Sequence, residues 1–180
     1  MPLTIVTLFD QILTLLTIIG QIIIAAVIIS IIIFRKRKNP LLNMISKNGT
    51  ISALVVAIIA TAGSLFYSEV AGYTPCTLCW YQRILMYPQV ILLSVAFLTK
   101  DKKISNYILP ISVLGAIIAA YHYLLQVGVA PAVVCSAVGY SDSCSQTFVL
   151  NYGYITIPMM SLTAFSMIIA YMLVQRKYSK

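Results

Sequence analysis

Five long apolar runs, separated by short polar connections, leave this chain few folds to choose from. They are Gln11 to Phe34, Thr50 to Tyr67, Tyr81 to Leu98, Tyr107 to Val127 and Tyr154 to Val174. The first is 24 residues without a charge, long enough at about 1.5 Å per residue to cross a bilayer as a helix. In hydrocarbon every backbone N–H and C=O must find its partner internally, which an α-helix provides within one segment. Composition agrees: 61% of the 180 residues are hydrophobic and 9% are charged, against about 25% charged in a soluble domain. The runs predict an all-α integral membrane protein with no length left for a separate soluble domain. There is no internal repeat, heptad pattern or low-complexity segment.

Lysine and arginine set the expected orientation. Arg35, Lys36, Arg37, Lys38 and Lys47 follow the first run, Lys100, Lys102 and Lys103 follow the third, and Arg176, Lys177 and Lys180 follow the fifth. With five spans, eleven of the 12 basic residues fall on one side, and only Arg83 falls on the other. The positive-inside rule makes the first side cytoplasmic, so the N-terminus is expected outside and the C-terminus inside a cell membrane. The same clustering at span ends explains the net charge of +8 without nucleic acid. The first run lacks a basic segment before it, has a long apolar core and is followed at once by Arg35 to Lys38. It reads as a stop-transfer anchor, not a cleaved signal.

All four cysteines fall outside the apolar cores, on the expected outer side, together with an aromatic belt that includes Tyr67, Tyr73, Trp80, Tyr140, Phe148 and Tyr154. An even count there suits disulfide chemistry in an oxidising compartment. Cys76 and Cys79 form a Cys-x-x-Cys pair where a polar loop gives way to the third run. Thr74 is the expected helix N-cap and Pro75 the expected first helical residue. Both thiols then lie in the first turns, where the helix dipole favours a thiolate, and Arg83 follows Cys79 by one helical turn. A structural disulfide or an acylation site is the plainer alternative. The arginine and the boundary position favour a redox pair.

Cys135 and Cys144 lie nine residues apart in the second outer loop, which is expected to hold a short surface helix over residues 145–152. Taken alone they would be a loop staple. A zinc site built from all four thiols fits structural zinc spacing poorly, so no metal is expected. Two dithiol pairs on one face suggest a relay through mixed disulfides. A relay needs a two-electron acceptor or donor, and the chain carries no haem or nucleotide motif. A lipid-soluble quinone beside Cys79 and Arg83 is the simplest candidate. His122, the only histidine, lies at the outer end of the fourth run and is expected to bond a quinone oxygen or carry a proton; the alternative is a polar residue satisfied within the bundle. Met159 and Met160 read as filler able to line such a pocket. Gly63 and Gly115 read as close-packing positions.

At this point the chain resembles the DsbB/BdbC family of membrane thiol–quinone oxidoreductases. The match rests on Pro75 to Arg83 with Met86, Tyr87 and Pro88, on Tyr121 to Gln126, on Cys135 and Cys144, and on Gly153 to Pro158. The Bacillus-type branch is the most similar. The resemblance implies a DsbB-like four-helix bundle over residues 50–180. Residues 1–49 are then an additional transmembrane helix and its basic connection. It implies that a thioredoxin-fold thiol oxidase of the DsbA/BdbD type is reoxidised on the outer side and that electrons pass to a membrane quinone, menaquinone or ubiquinone. Carried over, the partner attacks a Cys135–Cys144 disulfide at Cys135, Cys144 attacks Cys76, and Cys79 reduces the quinone. Arg83 and His122 stand beside the ring, and Gln82 stands where some members have an acid. The second outer loop is shorter than in the enterobacterial type.

Two alternatives stand beside this reading. A vitamin K epoxide reductase-like enzyme also combines a helical bundle with two cysteine pairs, but there the quinone-side pair comes late in the chain. A non-enzymatic membrane assembly protein would hold the four cysteines as inert disulfides.

Overall fold

The computed structural model describes residues 3–33, 40–130 and 144–178. Cys135, Tyr140, Phe34, the basic residues Arg35 to Lys38, and Lys180 lie outside the described residues.

Among the described residues, five helices are long and apolar enough to cross a membrane, and there is no strand. They are α1 (Leu3–Ile33), α2 (Pro40–Leu65), α3 (Thr77–Thr99), α4 (Ser105–Gln126) and α5 (Ile157–Tyr178). α1 starts eight residues before the expected run and α2 ten. Polar residues such as Asn43, Ser46 and Lys47 thus extend α2 beyond its apolar stretch, because helix propagation needs hydrogen bonds and propensity, not apolarity. α2 ends in a π-helical turn, Phe66–Val70. A 3-10 turn, Lys102–Ile104, leads into α4, and Asp101 caps it by accepting from the Lys103 amide at 2.8 Å.

Three cross-helix contacts show the antiparallel order. Gln175, near the end of α5, meets Thr50, near the start of α2. Arg83 at the start of α3 donates to Ser64 at the end of α2. Asp10 in α1 meets Tyr67 beyond α2 and Asn151 ahead of α5. α2 to α5 form a closed bundle in which α2 packs on α3 and α5, and α4 on α3 and α5; α1 lies outside it, mainly against α5.

The bundle core is filled by Phe165, Leu93, Ile108, Ile168 and Met172, all fully buried. Gly115 lets α4 and α5 approach there: a Cβ at this position would collide with the Phe165 ring. Gly63 likewise accepts Leu13 of α1, as the close-packing reading expects. A buried Ser112 hydroxyl donates to Gln89 across α3 and α4 at 2.9 Å, which satisfies both polar groups away from water. By contrast, Ile32, Ile91 and Leu98 are each more than 65% exposed. Such side chains on every face suit lipid as the surrounding solvent and make this a multi-pass membrane protein.

At the end that carries the cysteines, aromatic rings tie the loops together. Phe9 stacks on Phe66 at 3.8 Å, Tyr67 on Tyr73 at 5.9 Å and Tyr73 on Phe148 at 4.8 Å. The segment around residues 145–152 is not the short helix expected there. It is a run of turns closed by one bridge between Asn151 and Ile155, with Tyr152 and Gly153 at positive φ. Two consecutive left-handed residues cannot continue a right-handed helix.

Candidate active site at the start of α3

The local sequence places one cysteine at the helix boundary itself. Thr74 and Pro75 do not cap and begin α3, as their types suggested. Cys76 is the N-cap, with extended ψ of 170°, and its sulfur accepts from the Cys79 amide at 3.4 Å. A sulfur at this position satisfies one of the orphan N–H groups of the first turn and sits at the positive end of the helix dipole. The Cys-x-x-Cys spacing brings the second sulfur back over the first: Sγ of Cys76 and Sγ of Cys79 are 3.2 Å apart, and both thiols are free.

The two sulfurs face different surroundings. Cys76 is buried in a small apolar cluster with Leu78, Leu125 and Cys144. Cys144 is itself disulfide-bonded and almost wholly buried. Cys79 is only partly buried and lines a cleft of about 580 Å³. Hydrogen bonding with the Cys79 thiol holds the Cys76 thiol well below its ordinary range. Burial works the other way, and the adjacent His122 ring adds to the lowering. The helix-dipole expectation of a stabilised thiolate therefore applies to Cys76.

His122 joins the two halves of the site. It is 2% exposed. The Gln82 amide donates to its Nδ1 at 3.0 Å, which leaves the proton on Nε2. Nε2 donates to the main-chain oxygen of Cys144 at 3.2 Å and lies 3.6 Å from Sγ of Cys76. The sequence led to the expectation that this histidine bonds a quinone oxygen or carries a proton, or else is satisfied within the bundle. Here it does not line the cleft and stands between the cysteine pairs, because α4 delivers it to the Cys76 side of α3. Gln82 does both: it lines the cleft and holds His122.

Arg83 also borders the cleft, on the same helix face as Cys79. Its Nε donates to Ser64 Oγ at 2.9 Å and its NH2 to the Ser64 carbonyl at 2.8 Å, and its guanidinium lies 5.3 Å from the centre of the Trp80 ring. These contacts hold a permanent positive charge at the border of a predominantly apolar space. Ser64 had no distinguishing mark in the sequence. Of the two methionines considered as lining, Met160 borders this cleft and Met159 does not.

The ligand atoms of Cys76, Cys79 and His122 lie within 4.8 Å of one another. Two thiolates and an imidazole are soft and borderline donors that a zinc-like ion accepts. The same spacing is what thiol–disulfide exchange requires. The cleft fits a ring with a long apolar substituent: its size is that of small-molecule sites, it reaches Cys79, and Gln82, Arg83 and Ser64 offer hydrogen-bonding groups at that end.

A family model, "Disulfide bond formation protein DsbB", matches residues 46–175, from the first turns of α2 to the last of α5. "Disulfide bond formation protein C" of Bacillus subtilis is 45% identical over 123 residues, covering 66% of this chain and 85% of the relative. A "Probable disulfide formation protein" of Oceanobacillus iheyensis is 42% identical over 127 residues, covering 70% and 88%. One of the same description from Metapseudomonas resinovorans is 35% identical over 141 residues, covering 77% and 96%. No solved structure matches the chain. A free dithiol beside a disulfide, on a membrane bundle matched over four of its five helices, makes this chain a member of the DsbB family of disulfide bond formation proteins.

Proposed function

We propose that the protein, whose family forms disulfide bonds, is a membrane thiol–quinone oxidoreductase that reoxidises a thioredoxin-fold thiol oxidase. One observation carries this reading. Within a single Cys-x-x-Cys pair, Cys76 packs with disulfide-bonded Cys144, and Cys79 opens on the cleft beside Arg83. A dithiol arranged so can take electrons on one side and release them on the other.

The steps follow from thiolate exchange, in which attack on one sulfur releases the other. The partner's thiolate attacks Cys135 of a Cys135–Cys144 disulfide and releases Cys144; the partner's second thiol then displaces Cys135, leaving the partner oxidised and this pair reduced by two electrons. Cys144 attacks Cys76 of the oxidised first pair and releases Cys79. Cys135 next attacks Cys144 and releases Cys76 as a thiolate, which its lowered pKa makes a good leaving group. The outcome is the arrangement seen here, with Cys144 in a disulfide and Cys76 and Cys79 free. A membrane quinone, menaquinone or ubiquinone, supplies the acceptor for the two electrons and two protons that restore the Cys76–Cys79 disulfide. Gln82, Arg83 and Ser64 would bind its polar end, with Arg83 offering charge and hydrogen-bond donors there. His122 holds a proton on Nε2 between the two pairs and orients Cys144 through its carbonyl.

The basic residues between α3 and α4 and at the end of α5 lie at the bundle end opposite the cysteines, which supports a cytoplasmic assignment for that end. The N-terminus and both pairs are then extracytoplasmic. A free, acidic Cys76 argues against an assembly protein with inert disulfides.

The test is quinone reduction by the purified protein in detergent, supplied with a reduced thioredoxin-fold oxidase and followed by loss of quinone absorbance. Turnover that disappears in Cys79→Ser and in Cys135→Ser is expected. Turnover with neither menaquinone nor ubiquinone, while the partner stays reduced, would sink the proposal.

A further inference from the structure

The helix that the family match leaves out, α1, forms one wall of the cleft that reaches Cys79. It contributes Leu13, Leu16, Thr17, Ile19, Gly20 and Ile23. The cleft is longer than a ring needs. On α2 it extends from Ser64, beside Arg83, back to Asn48, sixteen residues or about 24 Å of helix. That approaches the roughly 30 Å of a bilayer's hydrocarbon core. Its cysteine end gathers Ser64, Gln82 and Arg83, while Thr17, Ser52, Thr163, Asn48 and Tyr171 are spaced along the rest. Beyond that end, the slot is lined chiefly by aliphatic side chains of α1, α2 and α5.

α1 is fixed at a few points. At the cysteine end, Asp10 accepts from the Tyr67 hydroxyl at 2.8 Å and from the Asn151 amide at 2.6 Å. Further along, Gly20 lies so close to α5 that a Cβ would meet Met167 Sδ at 2.7 Å, and Gln21 donates to Thr163 at 3.4 Å. These contacts hold α1 against α5, while it touches α2 little. A slot therefore remains between α1 and α2 that a helix free to settle would close. The Thr17 hydroxyl is bonded within its own helix to the Leu13 carbonyl at 2.8 Å, so this wall makes no polar demand on what lies against it.

We infer that α1 is the far wall of a channel for the isoprenoid tail of the quinone, and that it makes the protein selective for long-tailed quinones over tailless ones. The inference rests on the quinone reading above. Continuity of the slot with the Cys79–Arg83 end favours a tail attached to a ring at that end over an unrelated lipid chain.

Two measurements test it on the full-length protein. The first compares reduction of a long-chain menaquinone with that of menadione, which has the ring and no tail. Wild type is expected to show a KM for the tailed quinone about tenfold or more below that for menadione, since buried apolar tail adds binding without changing the chemistry. Thr17→Phe, which fills the slot from α1, is expected to remove most of that advantage, while kcat and KM for menadione change less than about twofold. Equal KM values in wild type, or equal losses for both quinones in Thr17→Phe, would overturn the inference and leave the quinone reading intact.

The second measurement needs no turnover. A naphthoquinone carrying a diazirine on its isoprenoid chain is photolysed with the wild-type protein, and labelled peptides are mapped. Labels on α1 between Leu13 and Ile23, competed by unlabelled menaquinone, are expected. Labels spread over lipid-facing positions of all helices, without competition, would assign the slot to membrane lipid and overturn the inference even if quinone is reduced.

Discussion

His122 reaches Cys144 through the main chain, with Nε2 donating to the carbonyl oxygen at 3.2 Å. Because the sulfur is not involved, the contact does not depend on whether Cys144 is a thiol or half of a disulfide. It keeps the same nitrogen 3.6 Å from Sγ of Cys76, so one ring serves the acceptor sulfur of one pair and the backbone of the other.

Replacing His122 with phenylalanine removes one contribution to the lowered Cys76 thiol. A lowered value means that thiolate persists as pH falls below the ordinary thiol range and is lost only through the depressed value. Iodoacetamide labelling of Cys76, followed by peptide mass spectrometry, should thus remain fast in wild type well below pH about 8.5. The labelling profile of His122→Phe should move to higher pH. Cys79→Ala should move it further, since hydrogen bonding with Cys79 is the larger cause. Superimposable profiles for the three proteins would contradict this electrostatic account.

Gln82 sets which nitrogen of His122 carries the proton. Gln82→Leu leaves Nδ1 without its donor in a buried site, and losing such a bond costs about 1–3 kcal/mol, or roughly five- to 150-fold in rate if it acts on exchange. Stopped-flow transfer of oxidation from the first pair to the second should slow accordingly. Gln82→Glu replaces the amide donor by a carboxylate, which can only accept from Nδ1–H, so the proton on Nε2 loses its support and exchange should slow here too. Unchanged rates in both variants would count against a positioning role.

The two bonds from Arg83 to Ser64 tie α3 to α2. Arg83→Ala should lower the thermal midpoint in detergent, since it removes two charge-assisted hydrogen bonds between α3 and α2, each contributing about 1.5–3 kcal/mol. Arg83→Lys retains the charge but not the planar fork, and should recover only part of that loss. Full recovery by lysine would mean that charge alone matters at this position.

Asp10 accepts from Tyr67 and from Asn151 at once. Asp10→Ala and Tyr67→Phe should therefore be non-additive in thermal stability, with a coupling of about 0.5–3 kcal/mol. Additive losses would show that the carboxylate and the phenol act independently.

The spans and their order were legible because a 24-residue uncharged run has few other uses and because basic residues collect where runs end. That Cys76 and Cys79 would come together near Arg83 was legible from one short stretch. The helix boundary was read two residues too early: Thr74 and Pro75 have the usual cap chemistry, but a thiol in the right backbone conformation displaced them. That His122 is a buried polar residue on α4 was legible, but its neighbours Gln82, Cys76 and Cys144 were not, since the rotation of α4 about its axis depends on packing such as Gly115 under Phe165. Asp10 was passed over, although an acid directly before a long apolar run was a visible signal. The role of Ser64 lies in a main-chain oxygen and a small hydroxyl, which many sequences would supply.

In the proposed relay, the sulfur that closes the first turn of α3 also changes oxidation state. As a thiolate it offers the Cys79 amide a charged acceptor; in a disulfide it offers a weak, neutral one. Oxidation of the pair thus loosens the helix end, and reduction tightens it. The backbone at Cys79 is in effect a gauge of electron occupancy, and its amide proton shift would track the pair in real time without any attached probe.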